Sequence, residues 1–458
     1  MLLNILMLFI SVIGIFIVDY QTMIFLFVFY FVGVLLTSIS NKNNSIILVN
    51  IYKSLYIIGS VYMLLCYSYM RYKGYDYLLA PDIPYAFLPT TLQYMENTNF
   101  YSALLDIWSE YDFLMRKESG YFTYTTLFGF LGNYFRANFY VVQQIATLFI
   151  YPFLGVFLFK ILIKNNFNLQ KAFKYAIIIN TCTIILFYSS QALRDIHIAL
   201  LYLIAIYLTF NESFSILNIA KILLLILITT TFRVESGMFL LVLIPAYLLI
   251  TLHNKKQRSL VIIISLFTLI VLMYFIVLYY NKMLSVFEAN QEAYFEGITE
   301  GSGVISTLQK VPIVGDFASI IYNALLPMPF WINNYWDGEN PLGGEVYNIM
   351  NFPKSISAFF NCLVIVYIFF WIFSKELKKK TKRYISKPLQ YQLWIGIVFL
   401  YMQSAVIDKR RLIAYYCMFY IFFFIIYNRI GAEYKNQITL TAIFVFISLQ
   451  IFSLFYRL

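Results

Sequence analysis

Residues 189–237 read SSQALRDIHIALLYLIAIYLTFNESFSILNIAKILLLILITTTFRVESG, two apolar runs joined by a short polar connection. The runs Leu193 to Phe210 and Ile216 to Phe232 are each roughly 17 residues long, near the lower limit for a helix that crosses a bilayer. The connection Asn211 to Ser215 can only reverse the chain, so a helical hairpin is predicted with both open ends on one membrane side. Those ends carry Arg194 and Arg233, flanked by Asp195, His197 and Glu235. Two guanidinium groups at one level of a membrane are the pattern of a site.

The whole chain fits that setting. Of its 458 residues, 61% are hydrophobic and 12% charged, and mean hydropathy is +0.75. Soluble domains carry about 25% charged residues, so here the membrane must solvate most of the surface. The reading is an all-α, polytopic integral membrane protein forming one transmembrane domain over residues 1–458. Apolar windows predict about 13 spans, range roughly 11–14. They lie near Leu2 to Val18, Met23 to Leu36, Ile46 to Tyr67, Tyr140 to Ile163 and Ala172 to Tyr188, then the hairpin pair. The remainder are Met238 to Leu252, Leu260 to Tyr280, Ile356 to Phe373, Leu393 to Ile407, Leu412 to Tyr427 and Ile438 to Phe455. The apolar first 18 residues lack a basic n-region and a small-residue cleavage site, so a retained first span is expected.

The net charge of +11 comes from short basic clusters between apolar runs, which argues against a nucleic-acid partner. Those clusters are Lys160 to Lys174, Lys255 to Arg258, Lys375 to Lys387, and Arg429 with Lys435. With these spans they share one side, which the positive-inside bias makes cytoplasmic, and the amino terminus with it. Two long loops, 68–139 and 281–355, then face the opposite side and are expected to contain short helices. So do Arg194, Arg233 and the segment Asp408, Lys409, Arg410, Arg411, where positive charge opposes the insertion bias. Snorkelling of single basic side chains to headgroups is the plain alternative for each.

The first loop holds aromatics, among them Trp108 and Tyr111, that suit sugar stacking or a headgroup-level belt. Phe122 to Phe135 is apolar enough for a short re-entrant or interfacial helix. In the second loop Glu288, Glu292, Glu296 and Glu300 make an acidic stripe best read as a solvated helix face, and Trp336 sits in a polar aromatic turn. The four cysteines all lie in apolar runs, as packing residues do. No GxxxxGK, HExxH, CxxC or GxGxxG occurs, which removes the usual marks of nucleotide hydrolysis and zinc chemistry.

Arginine provides planar, bidentate recognition of phosphate and keeps its charge at any working pH. Arg194, Arg233, Arg410 and Arg411, brought together at one leaflet boundary, would hold a lipid diphosphate whose tail lies between helices and whose glycan reaches the loops. In glycosyl transfer the diphosphate leaves, and guanidinium charge stabilises the negative charge that develops on it. His197, Asp195, Glu235 and Asp408 are the candidate bases, the first three equally suited to supporting an arginine.

The segments ESGYFTYTTLFGFLGNYFRANFYVV (118–142), FYSSQALRDIHIALLYL (187–203), FRVESG (232–237) and DKRRLIAYY (408–416), in that order, resemble the O-antigen polymerase family. The resemblance covers most of the chain in topology and arginine placement. It implies a metal-independent, cofactor-free glycosyltransferase of the bacterial inner membrane that joins undecaprenyl-diphosphate-linked oligosaccharide repeat units at the periplasmic face. Arg194, Arg233, Arg410 and Arg411 would contact the diphosphate, Trp108, Tyr111 and Trp336 the glycan. A polysaccharide chain-length regulator would be a possible partner besides lipid. Related ligases use a loop histidine, and the two histidines here, His197 and His253, both lie outside the long loops, which favours polymerase. The competing readings are a lipid-linked oligosaccharide flippase or other transporter, and a polyprenyl-phosphate-sugar-dependent glycosyltransferase.

Overall fold

The computed structural model describes residues 2–39, 45–72, 87–109, 118–210, 214–251, 352–402 and 409–457, with a few further positions between 74 and 326. Among the described residues the regular structure is helical, with no strand. Among the described residues six helical stretches are long and apolar enough to cross a membrane: Tyr20–Ile39, Ser45–Tyr72, Phe139–Lys164, Val234–Thr251, Phe352–Phe373 and Ala432–Phe452. Shorter apolar helices are Leu2–Ile17, Asp195–Thr209 and Ile216–Phe232. The architecture is that of a helical multi-pass membrane protein. The expected span Leu260 to Tyr280 and nearly all of loop 281–355, including Trp336 and the acidic stripe, lie outside the described residues, as do Tyr111 and Asp408.

The helices form two compact units. The first comprises Met1–Ile204, Leu225–Gly237 and Ile349–Pro353. It contains α1 (Leu2–Ile17), α2 (Tyr20–Ile39), α3 (Ser45–Tyr72), α4 (Leu88–Met95), α5 (Phe100–Ser109) and α6 (Ser119–Tyr134). There follow α7 (Phe139–Lys164), α8 (Leu169–Thr181), α9 (Ile184–Ser189), the start of α10 (Asp195–Thr209) and the end of α11 (Ile216–Phe232). At its core α3 packs on α7, flanked by α1, α2 and α8, while α6 rests on α7 and carries α4 and α5.

Local chemistry sets the corners. Asp19 opens α2 by accepting from the Thr22 amide (2.6 Å) and hydroxyl (2.8 Å), and the Asn138 amide in turn donates to the Thr22 hydroxyl (2.8 Å). Asn138 caps α7 by accepting from the amides of Tyr140 and Val141. The α7–α8 corner turns on Asn166 in the left-handed region (φ 61), with the Phe167 amide bonded back to the Leu162 carbonyl. The expected single span Ala172 to Tyr188 is broken: Thr183 is extended, donates to the Ile179 carbonyl and accepts from the Ile185 amide, which starts α9 afresh.

Buried tyrosines fill this core because the hydroxyl of each finds a partner, as a water-free interior requires. Tyr56 donates to the Leu26 carbonyl, Tyr151 to the Asn180 carbonyl and Tyr30 to Asn4 Oδ1, at 2.8–3.0 Å.

The second unit comprises Ala205–Leu224, Met238–Asn348 and Lys354–Leu458. The chain after α11 forms α12 (Val234–Leu240), which begins in the first unit and passes into the second at Met238, then a turn at Leu241 and Val242 and α13 (Leu243–Thr251), so the helical stretch starts before the expected Met238. Then come α14 (Phe352–Phe373), α15 (Lys375–Thr381), a single 3₁₀ turn, α16 (Lys387–Met402), α17 (Lys409–Arg429) and α18 (Ala432–Arg457). Asn361 links them, donating to the Ala324 carbonyl and accepting from the Tyr420 hydroxyl (2.7 Å). Cys66, Cys182, Cys362 and Cys417 are free thiols, three of them buried.

Candidate functional site

Three helix ends of the first unit meet around Arg194 and Arg233. Arg194 immediately precedes α10, and its carbonyl accepts the first amide of that helix, from Ile198 (3.0 Å). Arg233 stands between α11 and α12: its amide bonds back to Thr229, and its carbonyl accepts from Gly237 (3.1 Å). Both arginines therefore occupy junctions, where the backbone changes course and a side chain can leave the helix stack.

Each guanidinium is held by one carboxylate. Arg233 Nη2 bonds Asp195 Oδ1 at 2.9 Å, and Arg194 is paired with Glu118, the residue that precedes α6. The Arg194 guanidinium also lies over the Phe87 ring, 5.4 Å from its centre. Asp195 is almost sealed, its side chain 2% exposed, whereas the two arginines keep 13–16% of their side-chain surface. Asp195 sits in the first turn of α10, where the helix dipole favours a negative charge. Arg233 Nε makes no hydrogen bond, so the buried fork retains a donor.

Aromatic rings form the floor. His197 is 4% exposed and enclosed by Tyr124, Phe232 and Tyr121, with ring centres 4.7, 5.7 and 5.8 Å away. Neither ring nitrogen meets hydrogen-bond geometry with another group. Tyr121 donates to the Ala192 carbonyl at 2.7 Å, which pins the turn preceding Arg194. Tyr121→Phe is expected to cost about 1–3 kcal/mol by leaving a buried carbonyl unpaired; a lower midpoint for thermal loss of the monodisperse chain in detergent checks this. Two glycines permit the close approach. A Cβ on Gly120 would fall 2.1 Å from Thr231 Oγ1, and one on Gly237 would fall 2.6 Å from the Thr230 amide nitrogen.

The structure thus gathers Arg194, Asp195, His197 and Arg233. Glu235, half-buried in the first turn of α12, follows Arg233 by two residues, and the Tyr202 hydroxyl donates to the carbonyl of the next residue, Ser236 (2.7 Å). Trp108, on α5, is exposed and spends its indole N–H on Thr123 Oγ1 (3.0 Å). Arg410 and Arg411 stand in the first turn of α17, in the second unit, and their side chains lie outside the described residues.

Sequence reading missed Glu118. The residue opens the quoted segment ESGYFTYTTL, and a lone acid just before a glycine-containing helix in a long loop carries no signal of a distant arginine partner. Among the described residues no three His, Cys, Asp or Glu side chains are grouped to hold a metal ion. No family model, curated protein or solved structure matches this chain.

Proposed function

We propose that the chain is an oligosaccharide repeat-unit polymerase that acts on undecaprenyl-diphosphate-linked substrates at the periplasmic face of the bacterial inner membrane, without a metal. One observation carries the reading: two mostly buried guanidinium groups at the meeting of three helix ends, each oriented by one carboxylate, with Arg233 Nε still unbonded. A guanidinium has five N–H donors, so a single carboxylate leaves capacity for phosphate oxygens. The likeness in segment order to O-antigen polymerases adds to this.

In the proposed reaction an acceptor hydroxyl oxygen bonds to the anomeric carbon of the growing glycan. The bond from that carbon to the diphosphate oxygen breaks, and its electron pair leaves with the diphosphate, where Arg194 and Arg233 stabilise it. The hydroxyl proton passes to a base. Asp195, His197 and Glu235 are the candidates for that base, Glu235 standing half-buried in the first turn of α12. Arg410, Arg411 and the loop aromatics Trp108, Tyr111 and Trp336 complete the proposal at the diphosphate and the glycan.

The glycosyltransferase that uses a lipid monophosphate sugar is disfavoured, because the acidic residue of its usual first loop, here Asp19, is taken up in capping α2. In a deletion strain, Arg194→Ala, Glu235→Gln and Arg194→Lys are each expected to abolish or sharply shorten surface polysaccharide at normal protein level, the lysine change through loss of bidentate geometry. Single repeat units should still appear outside. Units trapped on the cytoplasmic side would instead identify a flippase, and unchanged long chains would dismiss the site.

A further inference from the structure

A second site lies in the second unit. Where α14 ends, the chain runs through α15 and a 3₁₀ turn into α16, and a cavity of about 470 Å³ opens between these elements and α17. Its wall is apolar, with Trp371, Trp394 and Ile397 prominent, and its rim carries Lys378 and Lys382. Trp394 is 68% exposed, although tryptophan in membrane proteins settles at the headgroup level, where its ring is half wet. Trp371 is fixed by its indole N–H donating to Thr381 Oγ1 (2.7 Å), and Lys378 extends over its ring, 5.7 Å from the centre.

The charge around the rim is uneven. Lys380 is neutralised by Glu376 (2.5 Å), one turn away and off the cavity lining. Among the described residues no carboxylate pairs with Lys378 or Lys382. An apolar trough that ends at two uncompensated ammonium groups matches a molecule with an acyl tail and an anionic phosphate head. We infer that this cavity binds an anionic phospholipid, its phosphate between Lys378 and Lys382 and an acyl chain along Trp371, Trp394 and Ile397.

The test uses the purified full chain, delipidated in detergent, with dioleoyl phosphatidylglycerol, dioleoyl phosphatidylcholine or inorganic phosphate as probe, read by native mass spectrometry and thermal shift. Phosphatidylglycerol is expected to bind about tenfold more tightly than phosphatidylcholine, and Lys378→Gln with Lys382→Gln to remove that preference. Lys379→Gln with Lys387→Gln, outside the lining, should keep it. Lys378→Arg with Lys382→Arg should keep it too, which separates charge from folding. Trp394→Ala should weaken both lipids. Equal binding of the two lipids, or an unaltered preference in the double glutamine variant, overturns the assignment. A shift by phosphate alone as large as that by phosphatidylglycerol would show a bare anion site and overturn the lipid.

Discussion

Arg233→Ala is expected to destabilise the protein by about 3–5 kcal/mol, the cost of stranding one member of a buried ion pair. The sign follows from exposure: Asp195 keeps 2% of its side-chain surface and bonds Arg233 at 2.9 Å, so its carboxylate would stay sealed while losing the guanidinium bonded to it. Removing both partners should recover part of the loss, since Asp195→Ala with Arg233→Ala leaves no stranded charge. The measurement is the midpoint for heat-induced loss of the monodisperse chain in detergent, across the full double-mutant cycle. Under the proposed function the double variant regains stability while its surface polysaccharide stays absent. If stability and long chains return together, the pair is a structural clamp and nothing more.

Among the described glycines, Gly237→Ala should be the most damaging added methyl, because it alone meets backbone atoms. The added carbon would meet Thr230 at 2.2 Å from Cγ2, 2.6 Å from the amide nitrogen and 2.8 Å from Cα. Two of these are backbone atoms in the last turns of α11, which no rotamer change can move. Overpacking of this sort costs about 1–3 kcal/mol, and the response is a shift of α12 away from α11. Arg233 is the residue that joins those helices, so its guanidinium would leave the Asp195 carboxylate. Under the proposed function, loss of polymer should therefore exceed what the fall in protein level explains. Gly431→Ala, where a Cβ meets nothing within 4 Å, is the matched control and should behave as wild type.

The hairpin helices were legible because uninterrupted apolar runs are bounded by charge: Ile216 to Phe232 is α11 itself, and Leu193 to Phe210 overshoots α10 by two residues and one. Their open ends do meet, through Asp195 with Arg233 and His197 against Phe232. The pairing was not legible. Asp195 neighbours Arg194 in sequence, yet successive side chains on a helix point about 100° apart, and the carboxylate turns across the hairpin to Arg233. Arg194 is left to Glu118, from a loop whose return to this point no local pattern encodes. The break between α8 and α9 was hidden for a related reason. The residues at the break, Asn180, Thr181, Cys182 and Thr183, carry no charge, Gly or Pro to end an apolar run, and the Thr183 hydroxyl settles where one helix stops and the next begins.

The bond from the Asn138 amide to the Thr22 hydroxyl spans 116 positions of sequence and shares its acceptor residue with the Asp19 cap. During biosynthesis this clasp runs on a clock. Chains elongate at about 5–20 residues per second, so the first helical pair waits roughly 6–23 s for its latch to be made. In that interval α1 and α2 can already meet α3, on which both pack, and the emergence of α7 decides only when the Thr22 clasp closes.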